Sequence, residues 1–149
     1  MNLINDQNLK WKHYKDDKNF DFPIDYSDAI LDARQDGRLE ILVKWAPNSF
    51  CHFHRHTAET SSVVIQGELH VSDIELNSKN ITSTRIRKVG DDLCIKNLEI
   101  YIWNKADQMA LSSLYNLLSE GEGSLAESLS KDGEVLSIST MKKILQKRV

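Results

Sequence analysis

From Gly37 onward, stretch after stretch of the chain alternates with a period of two, and turn-forming residues interrupt the pattern at short intervals. That period sends successive side chains to opposite faces of a strand. In LEILVKW, Leu39, Ile41, Val43 and Trp45 share one face, and Glu40, Leu42 and Lys44 the other. APNS follows as a turn on Pro47 and Asn48. CHFHRH alternates histidine with Cys51, Phe53 and Arg55. SSVVIQGELHV is β-branched with a break at Gly67, the mark of a turn or bulge. ITSTRIRKV leads into a VGDD turn, and LEIYIW places Glu99, Tyr101 and Trp103 on one face. MALSSLYNLL is a further strand candidate whose composition also permits helix. LAESLSKDGEVLSIS predicts a hairpin turning at Asp132–Gly133.

The two ends break the pattern. STMKKILQKR offers Ser139 or Thr140 as an N-cap, with Met141, Ile144 and Leu145 at helical spacing and Lys147 and Arg148 at the end of the macrodipole that favours cations. Residues 1–36 are expected to form an arm packed on the domain of residues 37–149, anchored by Trp11, Tyr14 and Phe20. Many short strands and one terminal helix predict an all-β antiparallel sandwich or barrel, such as a jelly roll. At 149 residues a single domain can bury its core without staples.

Composition narrows the partners. A net charge of -3 argues against nucleic acid, whose phosphates call for a basic face. No apolar run approaches the roughly 18 residues that span a membrane, and the N-terminus has no basic-then-apolar signal pattern. With only Cys51 and Cys94, both expected free, this predicts a cytoplasmic protein.

The chemistry concentrates in CHFHRHTAET. His52, His54 and His56 alternate and so share a strand face, with Glu59 close behind. Neutral imidazole is a ligand for first-row transition metals, and two histidines separated by one residue can face a single ion. Such a pair needs a further ligand from another strand and partners that orient the rings. Arg55 lies on the opposite face, and Arg85, Arg87 and Lys88 are expected to be a solvated strand edge. No arrangement signals a nucleophilic triad, and SEGEGS lacks the lysine of a phosphate loop.

The spacing around this strand resembles the first motif of the cupin family: Gly, five residues, His-x-His, three or four residues, Glu, six residues, Gly. Here Asn48 stands for the first Gly, a tolerable exchange where a turn needs left-handed backbone. His54 and His56 follow, Thr60 falls at the Glu position, and Gly67 closes the motif. The alternative frame on His52 and His54 fits neither end. The stretch from Gly37 to the C-terminus resembles the small cupins grouped with 2,4'-dihydroxyacetophenone dioxygenase and with anti-sigma-factor cupin domains, through HRHT and the closing hairpin and helix. The second cupin motif, Gly, five residues, Pro-x-Gly, two residues, His, is degenerate. After Gly90, Lys96 stands for Pro, Leu98 for Gly and Tyr101 for His.

The resemblance implies a double-stranded β-helix, the cupin jelly roll, with a short C-terminal helix, and a homodimer with a small-molecule ligand or substrate. It implies a divalent metal, iron foremost, with zinc, manganese and nickel as alternatives. His54 and His56 would hold it, with Glu99, Tyr101 or His52 completing or bordering the site, and His70 a further candidate by strand parity. The activity implied is dioxygenase-like, on a small oxygenated organic molecule. The alternative is a non-catalytic cupin with a degenerate metal site, serving as a ligand sensor or a dimeric interaction module.

Overall fold

The alternating stretches form strands in a computed structural model that describes residues 6–75, 77–78, 80–95, 101–117 and 123–146. In chain order these are β1 (Lys12–Lys15), β2 (Asp25–Ala33), β3 (Arg38–Trp45), β4 (Ser49–Phe50), β5 (Phe53–His56), β6 (Glu59–Gln66), β7 (Glu68–Glu75), β8 (Asn80–Lys88), β9 (Asp92–Ile95), β10 (Tyr101–Ala106), β11 (Ala110–Leu117), β12 (Ser124–Leu129) and β13 (Val135–Thr140), followed by α1 (Met141–Gln146). One sheet runs β1-β2-β3-β11-β6-β9 and the other β13-β12-β5-β10-β7-β8, with β4 beside β10. The pairings within both sheets are antiparallel, and the chain crosses repeatedly between them. This is an all-β jelly roll with one short C-terminal helix.

Local sequence decides the corners. Gly67 joins β6 of the first sheet to β7 of the second at φ +77°, and a Cβ there would lie 2.3 Å from the Met109 carbonyl oxygen. Asn48 turns the chain at φ +57°, the left-handed backbone expected of the residue standing in for a motif glycine. β11, ambiguous from composition, is a strand because β3 and β6 flank it on both sides. The hairpin between β12 and β13 turns at Gly133, φ +85°. Thr140 is the N-cap of α1, its Oγ1 accepting the Lys143 N–H at 3.2 Å.

The core lies between the sheets, where Val43, Trp45, Val64, Leu69, Val71 and Ile102 pack together. At one end Leu39, Ala58, Leu125 and Met141 meet, and α1 adds Ile144 and Leu145. Met141 is 2% exposed, a burial worth roughly 1.5–3 kcal/mol. The N-terminal segment is built into this frame: β1 and β2 extend the first sheet beyond β3. Trp11 packs against buried Leu42 and Leu111, under the Lys44 ammonium. Phe20 and Phe22 join Phe50, Phe53 and Trp103 in an aromatic cluster. Among the described residues no helix is long and apolar enough to cross a membrane.

Candidate functional site

β5 presents its histidines through its register. His54 stands opposite Ser128 of β12 and Ile102 of β10, and His56 opposite Ala126. Directly opposed residues of antiparallel strands share a face. All five line one cavity of about 160 Å3 between the sheets. Arg55, out of phase, pairs with Glu127, as the alternation predicted for a residue on the other face. The two imidazoles lie with centroids 5.1 Å apart and planes at 77°.

Both rings are held through Nδ1. His54 Nδ1 lies 3.0 Å from the His52 carbonyl oxygen, which can only accept, so that nitrogen carries the proton. His56 Nδ1 lies 3.1 Å from Thr60 Oγ1. Two acceptors, Ala58 O and Asn116 Oδ1, claim the single Thr60 proton, so the hydroxyl accepts Nδ1–H from His56. Nε2 of both rings is thus a bare acceptor, with no hydrogen bond among the described residues. Burial keeps both rings neutral: it lowers the pKa of His54, and pushes that of His56 down to about 3 with a smaller contribution from His54.

His52 is committed elsewhere. Its Nε2 donates to Asp17 Oδ2 at 2.9 Å, and its Nδ1 accepts the Tyr26 hydroxyl at 3.0 Å. Asp17 is held below the usual carboxylate range by the Asn19 backbone N–H and, less strongly, by His52. Burial raises the Tyr26 pKa, so its hydroxyl stays protonated. Glu99 lies outside the described residues. Tyr101 opens β10 in the register place opposite Arg55, and Ile102, one residue on, takes the place opposite His54. His70 bonds to Glu68 at 3.0 Å on the strand face opposite cavity-lining Leu69 and Val71. Glu59 is exposed, while Thr60 at the motif's Glu position is fully buried beneath His56. Both cysteines are free; buried Cys51 has its pKa pushed up to about 12 by desolvation, and Cys94 is exposed.

Several cavity residues carry no motif. Tyr26 and Asp28 line this cavity and a neighbouring one of about 370 Å3 that also reaches His56. Asp28 accepts the Tyr14 hydroxyl at 2.8 Å. Asn104 and Ser112 reach the first cavity from β10 and β11, and Arg87 from β8. Arg87 was expected among solvated edge charges, yet it is 6% exposed; Arg85 is exposed and pairs with Asp73.

A sheet pair in this strand order, with His-x-His facing the interior, is a cupin fold. Solved cupins superpose on the chain at low identity. An acetylacetone dioxygenase from Acinetobacter johnsonii matches with TM-score 0.65 at 9% identity, over 90% of this chain and 83% of that one. An RmlC-like cupin protein from Ralstonia eutropha matches with TM-score 0.64 at 10% identity, over 93% and 78%. An oxalate oxidase matches with TM-score 0.51 at 20% identity over 64% of this chain, which spans about half the oxalate oxidase's length (52%). No protein-family model and no curated protein sequence matches the chain.

Proposed function

We propose that the protein is a metal-binding cupin that holds a divalent ion, iron foremost, on Nε2 of His54 and His56, beside a small oxygenated organic molecule in the same cavity. The observation that carries this is the tethering of both rings. A carbonyl and a hydroxyl fix their tautomers, and burial keeps them uncharged, so two lone pairs are ready without deprotonation. The rings fit a metal in burial and tautomer. Among the described residues no third His, Cys, Asp or Glu joins them, so Glu99, water or the ligand itself would complete the set. When bound, such an ion supplies Lewis-acid polarisation of a ligand oxygen. The chain's own residues orient the rings through Thr60 and the His52 carbonyl, and exclude water with Ile41, Val43 and Ile102. A dioxygenase-like activity is the enzymatic form of this proposal.

A second reading is a non-catalytic cupin that binds a ligand without turnover. It is favoured by Ile102, an apolar residue in the register place beside His54. Metal analysis of protein purified without nickel or chelator tests the proposal. Near-stoichiometric iron, zinc or manganese is expected, lost in the His54→Ala/His56→Ala variant while circular dichroism is unchanged. A folded wild-type barrel that takes up no divalent ion overturns the metal site. A loaded barrel that consumes no oxygen with any small oxygenated substrate supports the second reading.

A further inference from the structure

β8 is an edge strand that buries one of its three cations and exposes its apolar residues. Ile81 and Ile86 are 51% and 55% exposed, while Arg87 between the sheets is 6% exposed. A bulge between Asp73 and Ile74 shifts the register by one residue. It brings both isoleucines, five positions apart, opposite Ile74 and His70, which share a strand face by parity, and leaves Arg87 opposite the cavity-lining Leu69. Arg87 lines the cavity that holds His54 and His56.

Its hydrogen bonds do not answer its charge. Nη1 donates to Ser62 Oγ at 2.8 Å, and Nη2 to the backbone oxygens of Ser62 at 2.7 Å and Asp91 at 2.9 Å. All three acceptors are neutral, and a guanidinium has five N–H donors. Nε is buried and without a partner among the described residues. The Asp91 carboxylate bonds to the Lys88 backbone N–H at 2.7 Å, and it and Asp92 act on Arg87 only as nearby charges, without a hydrogen bond to the guanidinium. These bonds fasten β8 to β6 and to the turn before β9, but fastening strands needs only hydrogen bonds. A buried cation without a directly bonded anion is costly. Two more polar atoms of the same cavity, Asn104 Oδ1 and Ser112 Oγ, are buried without partners, a pattern that calls for an occupant.

We propose that this cavity takes a small monocarboxylic acid, with Arg87 binding the carboxylate and Leu69, Val71, Leu93 and Ile95 enclosing a compact apolar body. This rests on reading the cavity as a ligand site, as above, and not on the metal. The volume of about 160 Å3 admits a body near the size of benzene, which fills an apolar cavity of about 150 Å3. Asp28, on the same cavity, disfavours a dianion such as phosphate.

Calorimetric titration of benzoate against benzamide into the full chain, as purified and after metal removal with EDTA, tests this. The two probes share a shape and differ in charge. Benzoate is expected to bind about ten-fold tighter or better in both preparations, as a charge-assisted hydrogen bond gives, and Arg87→Gln is expected to erase the preference. Should Arg87→Gln not fold, the wild-type chain still decides: benzoate must shift the Arg87 Nε–H resonance in 15N-correlated NMR, assigned with Arg87→Lys. Equal binding of the probes, binding of neither, binding of inorganic phosphate in place of benzoate, a folded Arg87→Gln that keeps the preference, or an unmoved Nε–H resonance each overturns the proposal. A barrel that loads metal without preferring benzoate fails this proposal alone. One that prefers benzoate but takes up no metal fails the metal reading alone.

Discussion

Thr60 concentrates the chemistry of the site in one hydroxyl. It occupies the position where the cupin motif has a glutamate, is fully buried, and holds His56 by accepting Nδ1–H while donating to Asn116 or the Ala58 carbonyl. Removing that acceptor frees the ring to rotate or change tautomer. Thr60→Val is therefore expected to weaken the proposed metal binding by about 10–100-fold, the usual effect of losing a partner behind a ligand, and to lower stability by about 1–3 kcal/mol through the unpaired Asn116 amide. Thr60→Ser should restore both. Competition against a chromophoric chelator measures the first effect and urea unfolding the second; unchanged metal affinity in a folded Thr60→Val protein would sink the orienting role. The two ring positions are legible in the amino-acid sequence, because Asn48 and Gly67 fix the frame at both ends. The role of Thr60 is not, because spacing places it at a motif position without saying where its proton goes.

At the scale of elements, glycine geometry separates packing from backbone strain. Gly67 and Gly90 both have positive φ, +77° and +89°, so alanine is strained at either. Only at Gly67 would the new Cβ also collide, 2.3 Å from the carbonyl oxygen of Met109, the residue before β11. Gly90→Ala is expected to lose about 1–2 kcal/mol, and Gly67→Ala about 3 kcal/mol or more because strain and overpacking add. Matched urea midpoints for the two variants would show that the corner at Gly67 is not closely packed. The strands themselves are readable from their period. β8 is not: ITSTRIRKV carries isoleucine at both parities, and the bulge that puts Ile81 and Ile86 on one face is a property of its pairing with β7. Arg85 and Arg87 have the same parity and only Arg87 is buried, so the period alone reads both as surface charges. β10 is half legible. Its strand character is evident, but only the register with β5 gives the place beside His54 to Ile102.

For the whole molecule, closing two sheets over two neutral histidines ties stability to pH. Both rings have folded pKa values below the ordinary histidine value, His56 down to about 3, chiefly through burial. In the unfolded chain they titrate near 6.5, so below that pH the unfolded state binds the more protons and gains on the folded one. Their contribution is complete above about pH 6.5 and is lost progressively down to about pH 3 for His56, at a limiting slope of about 1.4 kcal/mol per pH unit for each ring. Asp17 and Asp107 also have lowered values, so their losses share this sign but start from the carboxylate range, leaving pH 6.5–4.5 to the histidines. Urea unfolding of metal-free protein across pH 7.5–4.5 should therefore show stability falling as pH falls, and His54→Gln/His56→Gln should flatten that limb. Loading with metal should raise the plateau near neutrality and steepen the descent, because protons and metal then compete for the same Nε2 atoms. A flat profile in metal-free protein would mean that the rings take up protons without opposing the fold, which their burial does not allow.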